Sequence, residues 1–146
     1  MAEKNLTTFW STQSGHDTDA LLADPALLWC AACEYFGGVS NTPVTAYGRE
    51  DTTIKRVQPF TLLGFCLYID CPISYFQHVK KKLGLITDEK LTPEERALER
   101  VMERIEMCIE HHKFIYSAAG LLNTRFMAMD LGMYERKNGL NCAMAQ

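Results

Sequence analysis

The chain contains no run of about 20 consecutive apolar residues, so no transmembrane helix is expected. Met1 to Leu6 lack the apolar core of a signal peptide. An intracellular setting is therefore expected, and there the six cysteines stay reduced. No Gly-x-x-x-x-Gly-Lys-Ser/Thr motif is present, which removes the usual loop for nucleotide hydrolysis. Excess charge is also lacking, with a formal net charge of -3. Such a chain is not built as a whole for polyanions, so DNA binding would need local basic patches or repetition of a weak patch in an oligomer. There is no internal repeat and no low-complexity tract.

A length of 146 residues suits one domain with its own core, and 47% hydrophobic with 23% charged residues is ordinary for a globular protein. Residues 1–23 read as a polar, irregular arm, with Phe9-Trp10 as an anchor onto the body or a neighbour. The first clear helix begins at Asp24-Pro25, an N-cap followed by proline at the first helical position. It is expected to run to Phe36 and stop at Gly37-Gly38. Residues 39–59 suit a small β-hairpin: Val44–Tyr47 and Thr52–Val57 are β-prone, and Gly48–Asp51 between them is turn-like.

Residues 60–82 read as two short helices around a tight turn. Leu62, Leu63, Cys66, Leu67 and Ile69 fall near helical spacing. Asp70-Cys71-Pro72 stops the first helix, because a residue before proline is pushed out of the α region. The second starts near Ile73 and ends at Lys80-Lys81-Lys82, the plan of a helix-turn-helix. Lys82 to Lys90 form a loop. Thr92 and Glu95 then form a capping box that opens a long helix over 93–129. Its seam is Leu98, Val101, Ile105, Cys108, His112, Ile115, Ala119, Leu122, Phe126 and Met129, a heptad-like pattern roughly 55 Å long. Gly120 is a candidate kink, and Gly132 and Gly139 suit a helix end and a turn. Residues 133–146 are a short tail or β element.

The candidate interaction residues are charged or polar. Lys80, Lys81 and Lys82 would contact phosphates, with Lys55 and Arg56 assisting from the hairpin. Cations at a helix C-terminus also satisfy its carbonyls, which is a sufficient bland account of the lysines. Ser74, Tyr75, Gln77 and His78 would read base edges. On the long helix Arg96, Arg100 and Arg104 form one column and Glu95, Glu99 and Glu103 the next. These columns either pair between subunits or form a solvated face.

Catalytic and metal chemistry find little support. Cys30 and Cys33 form a C-x-x-C, but Cys66, Cys71, His111 and His112 supply no standard finger spacing. The apolar helix around the pair points to buried structural thiols. No strand leads into it, against a thioredoxin-type site. His112 falls on the seam as a packed histidine and His111 is exposed. A Cys-His nucleophile would lack an orienting third group. Neither an enzyme, a cofactor nor a bound metal is expected.

The stretch Asp24–Phe36 resembles the Pro-x-x-Leu-Trp-x-Ala-Cys-x-Glu-Tyr-Phe segment of the small terminase subunit of short-tailed, headful-packaging bacteriophages. The resemblance continues through Asn41–Val44, Thr61–Asp70, Lys113-Phe114, Ala118–Asn123 and Ala128–Gly132, with Phe9-Trp10 as the family's N-terminal aromatic pair. It implies a mainly α, non-catalytic DNA-packaging protein with a small hairpin. Such a protein forms rings of about nine subunits around a channel. It would bind double-stranded phage DNA at the packaging start and regulate the large terminase, a separate ATPase and nuclease. It would act in the host cytoplasm during assembly and be absent from the mature virion. The family's Lys/Arg-rich tail has no counterpart here beyond Arg136 and Lys137. Either the helix-turn-helix carries DNA binding or the chain is truncated. The alternative class is a helix-turn-helix transcriptional regulator, normally a dimer on paired half-sites.

Overall fold

A computed structural model describes residues 14–47, 50, 52–87, 89–123 and 125. They form a mainly helical domain with one antiparallel hairpin. The elements are α1 (Thr18–Ala23), α2 (Pro25–Ser40), β1 (Val44–Tyr47), β2 (Thr53–Arg56), α3 (Leu62–Tyr68), α4 (Ile73–Leu85) and α5 (Pro93–Ala118). Phe9-Trp10 and the segment beyond Arg125 lie outside the described residues.

Both expected N-caps are present. Asp24 Oδ1 accepts from the Ala26 and Leu27 N–H groups at 3.0 and 3.2 Å. Thr92 Oγ1 accepts from Glu95 N–H at 3.2 Å, and Glu95 Oε2 accepts from Thr92 N–H at 3.1 Å, completing the capping box.

Several boundaries differ from the expected ones. The polar arm contains α1, whose Leu21 and Leu22 are buried. Thr18 Oγ1 donates to the carbonyls of Ile69 and Asp70 at 3.1 and 2.9 Å, fastening α1 to the turn between α3 and α4. Helix α2 passes through Gly37-Gly38 and ends at Ser40. Burial of Val39 outweighs the roughly 1 kcal/mol penalty of each helical glycine. Helix α3 ends before the proline acts. Asp70 takes a left-handed φ of 53°, and the N–H groups of Asp70 and Cys71 donate to the Leu67 and Cys66 carbonyls. Helix α4 continues one turn past Lys82, because Leu83 packs into the core.

The long helix is shorter than its pattern suggested. It spans 26 residues, about 39 Å at 1.5 Å each. Gly120 is its stop rather than a kink. With φ at +74° it lets its own N–H reach Ser117 O and Leu121 N–H reach Tyr116 O, a Schellman closure. The buried stripe is Leu98, Met102, Ile105 and Ile109. Ile115 and Ala119 of the expected seam are exposed. A seven-residue step rotates by about -20° on a straight helix, so the heptad series 101, 108, 115 drifts off the core.

The hairpin matches expectation, with register Val44↔Arg56, Thr45↔Lys55, Ala46↔Ile54 and Tyr47↔Thr53. All four residues of β2 are exposed. The helical core is one continuous cluster in which α5 packs on α2 and α4. Tyr35 stands at its centre, 5.7 Å from the Phe65 ring, 6.0 Å from Tyr68 and 6.4 Å from Phe60. Its hydroxyl accepts from Thr61 N–H and donates to Thr61 O.

Gly64 of α3 makes that placement possible. A Cβ there would run into the Tyr35 hydroxyl and lie 2.8 Å from Thr61 Oγ1. Alanine normally gains about 1 kcal/mol over glycine inside a helix. Here the tyrosine is held by several rings and cannot yield. Gly64→Ala should therefore lower stability, by about 1–3 kcal/mol in urea unfolding. A gain in stability would show that Tyr35 is loosely held.

Candidate nucleic-acid interface

Helix α4 carries most of the expected DNA-contacting residues and distributes them over three directions. Phe76 and Leu83 point into the core. At 100° per residue, Ser74, His78, Lys81 and Leu85 form the opposite, outward line. All four are exposed, Leu85 at 76%. Tyr75 and Lys82 border one flank, a groove of about 390 Å³ whose other walls include Leu22, Glu94 and Leu98. Gln77, Lys80 and Lys81 border the other, a groove of about 360 Å³ closed by Glu99, Glu103 and Glu106 of α5.

The lysines are therefore not equivalent. Lys80 is half-buried, and its ammonium is ion-paired with Glu106 across that second groove. Lys81 and Lys82 are exposed. Lys55 and Arg56 are exposed on β2, and among the described residues no extensive packing joins the hairpin to α4. Sequence reasoning had no means of finding Glu106, which is 26 positions from Lys80.

The charged columns of α5 are also divided by their surroundings. Arg96, Arg100 and Arg104 are exposed. The Arg104 guanidinium lies 4.6 Å from the centre of the Trp29 ring, a cation–π contact between α5 and α2. Glu95 is engaged in the capping box. Glu99 and Glu103 face the α4 groove of their own chain.

Cys30 and Cys33 are exposed, contrary to the buried placement expected from their apolar helix. The buried line of α2 is Leu28, Ala31, Ala32, Tyr35 and Val39, which leaves positions 30 and 33 off that face. The Cys33 thiol is pushed up by partial burial and by the neighbouring Cys30 and Cys108 thiols. Cys66 and Cys71 are buried, and burial pushes Cys66 up to about 12. Among the described residues no group of three or more His, Cys, Asp or Glu side chains is placed to hold a metal. Tyr68 donates to Glu34 Oε2 at 2.9 Å, and burial and that bond raise its hydroxyl to about 12.

This arrangement is that of a mainly helical domain with an exposed, partly basic helix. No family model matches the chain. It is 28% identical over 143 residues to the terminase small subunit of Salmonella phage P22, covering 93% of this chain and 80% of that protein. The resemblance read from the residues is borne out: the chain is similar to a phage terminase small subunit along most of its length.

His111 is exposed and His112 is packed, as the seam suggested. The His112 ring stacks on Phe60 at 3.6 Å and 13°, and its Nδ1 accepts from Phe60 N–H at 3.4 Å. Burial lowers its pKa from 6.5. Between the folded and unfolded values the unfolded chain binds more protons, so stability falls as pH drops below about 6.5. Protonation also removes the acceptor for Phe60. The parent should lose more stability between pH 7.5 and 5.5 than His112→Phe, measured by urea midpoints. Equal losses would show that His112 does not couple folding to pH.

Proposed function

We propose that this chain is the small subunit of a phage terminase. In this reading it is a non-catalytic protein that assembles into a ring, recognises the packaging start on double-stranded phage DNA and regulates a separate large subunit. It acts in the host cytoplasm during assembly and is absent from the mature virion. The observation that carries the reading is the relationship to the phage P22 subunit along 93% of the chain. The mainly helical fold with a small hairpin is consistent with it.

The outward line of α4 supports a DNA-contacting role in the manner of a helix-turn-helix. Ser74 and His78 lie near its start, where base edges would be read, and Lys81 and Lys82 lie where phosphates would be met. Tyr75, Gln77 and Lys80 belong to the flanks, and Lys55 and Arg56 are auxiliary contacts from the hairpin. With a net charge of -3, single subunits would bind DNA weakly, and a ring would supply avidity by repeating one patch.

Native mass spectrometry tests assembly. A closed ring of about nine copies is expected, whereas a dimer would favour a transcriptional regulator. Arg96 and Arg100 would help close the ring by meeting carboxylates on a neighbour. Reversing both arginines to glutamate should shift the mass distribution toward smaller species. An unchanged distribution would make them a solvated face.

DNA binding is tested by salt titration. Lys81→Ala with Lys82→Ala should weaken binding to every sequence. It should also flatten the slope of log affinity against log salt by about two, since two fewer counterions are released. His78→Ala should instead reduce discrimination between packaging-site and random DNA by about tenfold, with non-specific binding intact. Unaltered binding in the lysine variant would move recognition away from α4.

A further inference from the structure

We propose that Glu106 is an intrachain competitor for phosphate that withholds Lys80 from DNA, so that α4 is partly autoinhibited. The proposal rests on the DNA-binding reading above and adds a control built into the subunit itself.

Three observations converge on it. The first is the ion pair between the Lys80 ammonium and the Glu106 carboxylate, both part-buried between α4 and α5. The second is the composition of the groove holding them. Glu99, Glu103 and Glu106 face Lys80 and Lys81, three carboxylates against two ammonium groups, so the groove is acidic on balance. The third is the position of the groove, directly beside the outward line of Ser74, His78 and Lys81.

A duplex laid along that line would bring phosphates to the groove's edge. Lys80 has a long, flexible stem and can carry its charge to that edge when its carboxylate partner releases it. Held by Glu106, it contributes no phosphate contact, and the remaining carboxylates oppose the phosphates at the same edge. Phosphate and Glu106 therefore compete for one cation. The contribution of Lys80 is set by the outcome of that competition, while Lys81 and Lys82 act independently of it.

The test is a double-mutant cycle on the full chain, read as affinity for duplex DNA over a salt series. Glu106→Gln keeps the size of the side chain and removes its charge. It should tighten binding by about two- to fivefold, the scale of a partly exposed ion pair. It should also steepen the salt slope by about one counterion. Lys80→Ala alone should change affinity by less than about twofold, because the parent's Lys80 is engaged. In the Glu106→Gln background, Lys80→Ala should cut the gain back to the charge-only effect seen in Glu103→Gln. Glu103→Gln serves as comparison: its effect is one of charge alone and should persist in the Lys80→Ala background.

Three results would overturn the competition: no gain in Glu106→Gln, a gain that Lys80→Ala leaves undiminished, or a loss in Lys80→Ala as large as that in Lys81→Ala. Failure of the DNA-binding reading looks different. In that case neither the parent nor Glu106→Gln binds duplex, or Lys81→Ala with Lys82→Ala has no effect in either background, and both proposals fall together.

Discussion

The fold depends on the seat of one tyrosine. Tyr35 leaves α2 and enters a cluster with Phe36, Phe60, Phe65 and Tyr68, while its hydroxyl exchanges hydrogen bonds with the backbone of Thr61. A buried hydroxyl without partners would cost about 1–3 kcal/mol, so both bonds to Thr61 constrain where the chain enters α3. Thr61 also caps that helix, accepting from Gly64 N–H at 2.9 Å. Phe60 then stacks on His112 and carries the arrangement to α5. Three helices thus meet around a short stretch of backbone, and the missing side chain of Gly64 is what allows the approach.

This constraint places α4. Helix α3 and the Asp70 turn deliver Ile73 with Phe76 directed inward, where it meets Phe65 edge-on at 6.2 Å. Once Phe76 and Leu83 are committed to the core, the helical repeat decides every other direction on α4. Ser74, His78 and Lys81 face outward, and Lys80 faces α5. The polar residues are exposed as a consequence of aromatic packing.

Helix α5 uses its faces for different tasks. One buries Leu98, Met102, Ile105 and Ile109, and another offers Glu99, Glu103 and Glu106 to the groove beside α4. Arg104 rests on Trp29 of α2. Charges that look like two uniform columns in the sequence are distinct in their surroundings. An arginine over an indole ring, a glutamate in a capping box and a glutamate opposite a lysine have different freedom to meet another molecule. The terminase reading accommodates this, since a protein acting through assembly and DNA contact needs its charges partitioned among fold, neighbour and ligand.

What the amino-acid sequence determined by itself is what local chemistry controls. Asp24-Pro25 and the Thr92/Glu95 box announce helix starts because a cap acts within three residues. The β-prone segments around a turn announce the hairpin for the same reason, and the ordered resemblance along the chain points to the terminase small subunits. Only tertiary packing decided the rest. It carried α2 through two glycines because Val39 has a buried place. It exposed Cys30 and Cys33 because Ala31, Ala32 and Tyr35 claim the core. It also set Glu106 against Lys80. Those outcomes turn on partners far apart in the chain, and a side chain's spacing along its own helix does not say what lies across from it.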